Sequence, residues 1–594
     1  MTPSQTQASF QLLSRQGFES HQRGALAEAE RLYRQALALA PADFATRQLL
    51  GVLLAQQGRN GEALEAISAA LTLNPDSAPA LFNQGNVLDA LGRPEEALAS
   101  FDQALRLRPG YAEALNNRGK VQRALGRLDE ALVSFDGALV TRPDFAEAIN
   151  NCGNVLLDLE RPGAALAIFD KAIALKPDYA ELHGNRGIAL LALNRPAEAL
   201  ASCDRAIALE PASTDAYINR GNALRDLTRP QEALESYDSA IRLKPDYAKA
   251  HSNRGNALLD LNRPDEALAS YDKAIGLKPN YAEAYWHQSQ AHLLMGNLEQ
   301  GFRQYEWRKK RDKPIALRSY PQPVWLGEED ITGKTLFLYW EQGLGDTIQF
   351  CRYAKLARLR GIKIALSVQE PLAGLLKQLD DDIEIIGPTE TPAHFDYHCP
   401  LLSLPLAFGT TLETIPSGAP YIAADKALSK RWKERLGENG KPNIGLAWSG
   451  AVLHKNDRNR SIALEKFLPL LVPEVNWTSS QMDVRDSDKT ALNSAGLIKH
   501  FGSELTDFRQ TAALINEMDL VITVDTAVAH LAGAMGKPAW ILLPFSPDWR
   551  WMLDRQDSPW YPSVRLFRQA KIGEWEEVVE RMKGELKLFL EGFR

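Results

Sequence analysis

Three short segments in the C-terminal half of the chain carry residues that could do chemistry. The first, Glu341-Gln342-Gly343-Leu344-Gly345-Asp346, lies between a predicted strand and a predicted helix. Gly343 and Gly345 permit a tight turn and let a ligand approach the backbone beside a helix N-terminus. Asp346 could accept a hydroxyl proton as a general base. Asp346 and Gln349 also match an N-capping box, which needs no catalysis, so both interpretations stay open.

The second segment runs from Asp525 to Ala532, directly after the apolar run 520–524. A buried parallel strand that leads into a helix presents free backbone N–H groups, and the helix dipole favours a diphosphate there. His530 follows Thr526 by one helical turn, so both side chains can contact one ligand. The predicted ligand-binding residues of this segment are Asp525, Thr526, Ala527 and His530. Alternatively, Asp525 and Thr526 cap the helix and His530 is a core histidine.

The third segment is the basic run 454–461, which follows a predicted strand at 443–448. Cations at the carboxyl end of a strand can clamp phosphates, and such a run can equally be a solvated loop. The predicted phosphate-binding residues are Lys455, Arg458 and Arg460. A further loop at 544–551 holds Asp548, Trp549 and Arg550, which could contact the same ligand or pack two lobes together.

None of these segments indicates a resident cofactor or metal. The first lacks the third glycine of a dinucleotide fingerprint and the Gly-Lys-Ser/Thr of a P-loop. The acidic run Asp380-Asp381-Asp382 lies between a predicted helix and a predicted strand, so we interpret it as a solvated loop.

The N-terminal half repeats with a period of 34 residues, in which proline, glycine, alanine and an aromatic or apolar residue each recur. The prolines are Pro41, Pro75, Pro109, Pro143, Pro177, Pro211, Pro245 and Pro279. We expect the small residues to let paired helices approach, the aromatic residue to fill the groove between neighbouring repeats, and the proline to end the second helix. Because stacking supplies the core of such units, the period predicts an all-α solenoid.

One more position recurs in six successive repeats as asparagine: Asn83, Asn117, Asn151, Asn185, Asn219 and Asn253. In a superhelix this position should line the concave wall as a ladder of amides. An amide has both a donor and an acceptor, so the ladder could bind the backbone of a peptide. Alternatively, these asparagines satisfy nearby backbone groups or follow the repeat consensus.

Beyond residue 314 the pattern becomes an alternation of strands and helices, which predicts parallel sheets in two lobes. The predicted strands are 335–340, 363–368, 383–386, 443–448, 475–479, 520–525 and 539–543. A last helix at 575–590 is predicted to pack back across the cleft. We divide the chain into a tail (1–9), eight repeats (10–281), a degenerate capping repeat with a basic linker (282–314), and two lobes (315–425 and 426–594).

The 34-residue register resembles the tetratricopeptide repeat (TPR) family, and the asparagine ladder resembles the one that holds protein acceptors in eukaryotic O-GlcNAc transferase. The loop ending at Asp346 resembles the Gly-x-Gly-Asp loop of the family 9 glycosyltransferases, the lipopolysaccharide heptosyltransferases. The segment at 525–532 resembles their Asp-Thr-Gly-x-x-His-Leu-Ala signature, with Ala527 in place of glycine. The resemblance implies an α + α/β chain: a TPR solenoid, then a GT-B-like domain with an acceptor lobe, a nucleotide-sugar lobe and Asp346 as catalytic base.

The implied function is transfer of a sugar from a nucleotide-sugar donor to a protein acceptor held by the repeats, as in bacterial flagellin-type TPR glycosyltransferases. A nucleotide sugar would be a co-substrate, with no metal and no other cofactor. Two alternatives stay open. The chain could be a non-catalytic TPR scaffold with a degenerate transferase domain, or a glycan-directed enzyme of the lipopolysaccharide type that docks through its repeats.

Bulk composition sets the remaining expectations. The 594 residues are 45% hydrophobic and 24% charged, with a net charge of −7, which favours neither a nucleic acid nor a membrane surface as partner. The four cysteines are scattered, as is typical of a reducing compartment. The N-terminus has no secretory pattern and no apolar run approaches the roughly 18–20 residues of a membrane helix, so we expect a cytoplasmic protein.

Overall fold

The computed structural model describes residues 3–312, 318–418, 420–451 and 456–593, so the predicted phosphate contact Lys455 lies outside the described residues. The chain divides into two compact units, residues 1–227 and 228–594. Within the described ranges, no helix is long and apolar enough to cross a membrane.

The first unit consists of helices that pack in consecutive pairs. The first helix begins at Pro3, inside the segment that the sequence predicted as a tail. The helices are α1 Pro3–Gln22, α2 Leu26–Leu39, α3 Phe44–Gln56, α4 Asn60–Leu73, α5 Ala78–Ala90, α6 Pro94–Leu107, α7 Ala112–Ala124, α8 Leu128–Thr141, α9 Ala146–Asp158, α10 Pro162–Leu175, α11 Ala180–Ala192, α12 Pro196–Leu209 and α13 Thr214–Asp226.

The recurring residues have the close-packing role that their spacing predicts. A Cβ atom at Gly119 would lie 2.7 Å from the ring of Phe135, so only glycine fits opposite this aromatic residue. Phe135 thus packs against Gly119 within its own repeat. The hydrophobic cluster that contains Phe135 also includes Ile149 and Cys152 of the next repeat. The second helix of each repeat ends two residues before the periodic proline, as α4 does before Pro75.

The second unit begins with α14 Pro230–Leu243, α15 Ala248–Asp260, α16 Pro264–Leu277, α17 Ala282–Leu294 and α18 Leu298–Tyr305. A 3₁₀ turn, Glu306–Lys310, follows directly. Arg308 of this turn is completely buried. The segment that the sequence predicted as a basic linker therefore packs into the unit at this residue.

Two parallel sheets form the rest of the second unit. The smaller sheet has the order β3-β2-β1-β4, with β1 Thr335–Tyr339, β2 Lys363–Ser367, β3 Ile383–Ile386 and β4 Tyr397–Pro400. Its helices are α19 Leu344–Phe350, α20 Arg352–Leu359, α21 Glu370–Leu376 and α22 Leu404–Ala407. The helix predicted after the segment 341–346 is thus two helices, and the first begins inside that segment, at Leu344.

The larger sheet has the order β10-β9-β8-β5-β6-β7. Its strands are β5 Asn443–Ala447, β6 Asn476–Ser479, β7 Ile498–His500, β8 Leu520–Val524, β9 Ala539–Leu543 and β10 Val564–Arg568. Its helices are α23 Lys426–Leu436, α24 Asp457–Arg460, α25 Asp486–Ala495, α26 Phe508–Asn516, α27 Ala527–Ala534 and α28 Glu576–Phe593. The strand order reverses at β5 and β8, and β8 is buried along its whole length, as expected for a central parallel strand.

The last helix, α28, does not pack across the cleft between the lobes, so that prediction is wrong. Its residues Val578, Met582 and Leu586 share a core cluster with Trp477 and Trp540 of the larger sheet. The amphipathic pattern of α28 shows that one face must be buried, and this outer face of the larger sheet is the apolar surface it covers.

Candidate functional site

The two segments with the strongest chemical signal meet through their helices. Gly345 stands in the first turn of α19, and a Cβ atom there would lie 2.7 Å from Cδ2 of His530 and 3.6 Å from Cα of Ala527. The first turns of α19 and α27 therefore pack against each other. Gly345 is needed for this close approach, and its role as a donor contact stays a prediction.

Asp346 is the third residue of α19, and one of its carboxylate oxygens, Oδ2, accepts the backbone N–H of Gly343 at 2.8 Å. This N–H is therefore already satisfied within the loop. The alternative capping box of Asp346 with Gln349 is wrong in its partners, because the helix starts before Asp346 and Gln349 binds Arg550 instead.

Arg550 links the two lobes at this point. Its guanidinium donates to Oδ1 of Asp346, to Oε1 of Gln349 at 2.8 Å and to Oδ1 of Asp548 at 2.9 Å. Burial opposes its charge, but the Asp548 and Asp346 carboxylates raise the pKa of Arg550. Arg550 comes from the loop after β9, which the sequence placed either at the ligand or between the lobes. It stands between the lobes and fixes the orientation of Asp346.

The neighbouring Trp549 also packs rather than facing solvent. It is buried, and its ring stands edge-on to Phe302 with 5.7 Å between the ring centroids. It also approaches Phe350 of α19 and Trp560. The aromatic part of the loop after β9 thus packs the lobes together, which was the second of the two interpretations.

His530 is buried, with Nδ1 3.0 Å from the hydroxyl of Tyr561 and its ring stacked on Trp551. Burial, together with the charge of Arg550, lowers the pKa of His530 to about 3. The imidazole is therefore neutral at physiological pH. The neutral ring can form a hydrogen bond with Tyr561 or with a ligand, but it brings no positive charge to a phosphate.

We expect His530 to make the second unit sensitive to acid. Its pKa is lower in the folded than in the unfolded protein, so stability decreases as the pH falls from about 6.5 towards 3, by roughly 1 kcal/mol per pH unit. His530→Gln should flatten this slope in urea unfolding at pH 6.5 and 5.0. All 12 tryptophans lie after residue 285, so their fluorescence reports on the second unit. The exposed His394→Gln is the control, and equal slopes in wild type and His530→Gln would contradict the expectation.

Acidic and basic groups collect at the carboxyl end of β8. Asp525 is buried, and burial together with the charge of Asp548 raises its pKa to about 6. Arg460 Nη1 donates to the Asp525 backbone oxygen at 3.0 Å, so this predicted phosphate contact does lie beside the N-terminus of α27. Arg458 is exposed on α24. Thr526 is the N-cap residue of α27, but its side chain makes no capping hydrogen bond.

The described part of the basic segment is anchored. Asp457 is buried and accepts hydrogen bonds from Arg485 at 2.5 Å and from Ser461 at 2.6 Å. Arg485 also donates to the backbone oxygen of Gly450. No sequence signal pointed to Arg485, because 28 residues separate it from its carboxylate partner. These contacts hold Arg460 at the end of β8 rather than in a free loop.

Among the described residues, no group of three or more His, Cys, Asp or Glu side chains is arranged to hold a metal ion. In the acidic run, the Asp380 carboxylate accepts the backbone N–H of Asp382, and Asp382 pairs with Arg358.

In the first unit, three of the ladder asparagines bind amides of the preceding repeat. Asn117 Nδ2 donates to Asn86 at 2.7 Å, Asn151 Nδ2 to Asn116 at 3.0 Å, and Asn185 Nδ2 to Asn150 at 2.7 Å. Asn219 is buried, whereas Asn83 and Asn253 are half-buried. In these repeats each ladder amide thus donates within the array, and the side-chain oxygen of Asn117 also accepts the Asn116 amide at 3.2 Å. Acceptor binding by the six asparagines stays a prediction.

Comparison with known proteins finds matches to two families in this chain. The tetratricopeptide repeat models match residues 20–83, 82–146, 153–216, 218–282 and 252–305. The model of glycosyltransferase family 9 (heptosyltransferase) matches residues 504–565, a range that includes Asp525, His530 and Arg550 but not Asp346.

Protein FlbA of Caulobacter vibrioides is 28% identical over 322 residues, which is 50% of this chain and 54% of FlbA. The chain thus spans about half the length of that relative. Among solved structures, YrrB, a TPR protein with an unusual peptide-binding site, is 29% identical with a TM-score of 0.28, over 32% of this chain and 96% of YrrB. TTC0263 of Thermus thermophilus is 26% identical with a TM-score of 0.28, over 31% of this chain and all of that protein (100%). The chain therefore carries tetratricopeptide repeats across its N-terminal region and a family 9 glycosyltransferase segment in its C-terminal region.

Proposed function

We propose that the chain is a cytoplasmic glycosyltransferase that moves a sugar from a nucleotide-sugar donor onto a protein acceptor bound by its repeats. The observation that carries this proposal is the packing of α19 on α27 through Gly345 and His530. It brings a carboxylate, Asp346, close to the helix N-terminus where a diphosphate is favoured. A family 9 segment alone would leave the catalytic carboxylate unassigned.

On the donor side, the N-terminus of α27 and Arg460 would bind the diphosphate. The acceptor hydroxyl oxygen bonds to the anomeric carbon while the bond from that carbon to the diphosphate oxygen breaks. Asp346 takes the hydroxyl proton, and the nucleoside diphosphate leaves with the electron pair and its negative charge. The helix N-terminus and Arg460 stabilise that charge, and His530 adds a neutral hydrogen-bonding group.

On the acceptor side, the hydrogen-bonding groups that the asparagine ladder offers indicate which class of acceptor it binds. Because the amide nitrogens of Asn151 and Asn185 already donate within the array, we expect their side-chain oxygens to face a ligand. An extended polypeptide brings a regular row of backbone N–H donors that matches such oxygens. This favours a protein over a glycan as the acceptor.

Two measurements test the function. In a thermal-shift screen, at least one of the diphosphates of uridine, guanosine, adenosine, cytidine or thymidine should stabilise the protein, and stabilisation by none would contradict a nucleotide-sugar transferase. Intact masses of proteins from cells with and without the chain should differ by a sugar-sized mass in at least one protein. An unchanged set of protein masses with altered surface glycans would favour the glycan-directed alternative.

The role of the asparagine ladder in acceptor binding can be tested once an acceptor is known. In the double variant Asn151→Ala, Asn185→Ala, the loss of two hydrogen bonds should raise the KM for the protein acceptor roughly tenfold. Hydrolysis of the donor in the absence of acceptor should not change, because it needs no ladder. The exposed Asn493→Ala on α25 serves as the control. An acceptor KM equal to that of wild type would show that these asparagines only connect repeats.

A further inference from the structure

We infer that the ninth repeat, residues 282–310, is a positioning element of the transfer site, in which Tyr305 and Arg308 hold the loop that carries Asp346. The inference rests on the proposed function for its rate effects, although the contacts themselves do not depend on it. Tyr305 and Arg308 are positioning residues, since each acts on Asp346 through the loop 341–346.

Arg308 binds the first residue of this loop. Its Nη2 donates to Glu341 Oε2 at 2.8 Å, and Nε approaches Oε1 of the same carboxylate at 3.3 Å, which makes a two-pronged ion pair. Both side chains are almost inaccessible, at 1% and 2% exposure. Arg308 also binds Glu306 and Ser403, so the guanidinium is fixed from several directions. Glu341 thus has a rigid partner just five residues before Asp346.

Tyr305 binds the next residue. Its hydroxyl accepts a hydrogen bond from Gln342 Nε2 at 3.0 Å. The backbone oxygen of Gln342 is bound in turn by Gln369, which also accepts the hydroxyl of Thr347 in α19. The loop is thereby held at its side chain by the repeat and at its backbone by the smaller lobe.

The repeats also contact the loop that carries Arg550. Asn262, in the turn between α15 and α16, donates to the backbone oxygen of Phe545 at 2.6 Å, and Ser546 donates to the backbone oxygen of Leu259 at 3.2 Å. Asn262 has a φ of 54°, a conformation that asparagine tolerates better than most residues. Repeats eight and nine therefore contact both loops whose side chains form the Asp346–Arg550 pair.

This arrangement explains why the ninth unit departs from the 34-residue register. It lacks the periodic glycine, with Ser289 in its place, and the closing proline. Its second helix, α18, ends at Tyr305 after 8 residues, and the 3₁₀ turn that follows carries Arg308 into the two-lobed domain. The departure from the consensus is thus the feature that joins the array to the site.

Tyr305→Phe in the full chain tests the inference, since it removes one hydroxyl and keeps the ring. We expect hydrogen exchange of the backbone amides in peptides covering 341–350 to increase several-fold. We also expect kcat to fall about tenfold while the KM for the donor stays within twofold, because a misplaced carboxylate affects the transition state and not donor binding. The control is Tyr179→Phe, which removes a tyrosine hydroxyl that donates to Glu181 in the first unit and should change neither quantity.

The two readouts separate this inference from the proposed function. If wild type transfers sugar and Tyr305→Phe has an unchanged kcat, the inference is overturned. If wild type transfers no sugar from any donor, the proposed function fails and the exchange measurement alone decides. In that case faster exchange in Tyr305→Phe but not in Tyr179→Phe supports the positioning role, and unchanged exchange overturns it.

Discussion

Asp346→Asn should lower the rate of sugar transfer by roughly 10²–10⁴-fold while donor binding stays close to that of wild type. Asparagine keeps an oxygen that can accept a hydrogen bond from Arg550 or Gly343, but it cannot take the proton of the acceptor hydroxyl. The proposed diphosphate site at α27 does not include this side chain, so the Kd for the donor should not follow the rate. Initial rates and donor titration by calorimetry on the same preparations measure both quantities.

Loss of the Asp346 charge also leaves Arg550 with one carboxylate partner fewer, so stability has to be measured beside the rate. We expect a decrease of about 1–3 kcal/mol in the free energy of unfolding, far too small to empty the folded state. Asp381→Asn, on an exposed loop, is the matched control and should change neither rate nor stability. A transfer rate within a few-fold of wild type would mean that Asp346 serves only the helix N-terminus and the ion pair with Arg550.

The sequence predicted the architecture well, because its signals are local or periodic. The glycine and aromatic positions recur every 34 residues. The contact between Gly119 and Phe135 therefore recurs in other repeats, for example between Gly153 and Phe169. Strand β8 could be placed within one residue, since a run of mostly apolar, β-branched residues followed by Asp-Thr indicates both a buried strand and its end.

The interior of the site could not be predicted in the same way. Arg550 and Asp346 are 204 residues apart, and no pattern in either segment specifies the other. Gly345 was interpreted as room for a ligand, whereas the atom that fills the space is Cδ2 of His530 in the opposite lobe. The same limit applies to α28. Its pattern demands a buried face, but only the assembled sheet shows which surface remains to be covered.

Arg308→Met should destabilise the second unit by about 3–5 kcal/mol, because it leaves two acidic side chains without their shared cation in a buried site. Glu341 is 2% exposed and cannot be resolvated without moving the loop it begins. Burial would raise the pKa of Glu306, but the charges of Arg308 and Lys309 lower it to about 2. The stability that this shift provides is present above pH 4.5 and is lost as the pH falls towards 2, so the variant should lose less over that range. Urea unfolding followed by tryptophan fluorescence measures both effects.

Two further variants decide whether Arg308→Met loses stability because of the buried charge or because of the change in side-chain size. Arg303→Met removes an exposed ion pair between Arg303 and Glu299, which lie one helical turn apart. It should lower the free energy of unfolding by no more than about 0.5 kcal/mol. Arg308→Met combined with Glu341→Gln should be more stable than Arg308→Met alone, because the orphaned carboxylate is gone. Equal losses in the single and double variants would instead assign the effect to packing. Recovery in the double variant would show that the ninth repeat holds the Asp346 loop through charge.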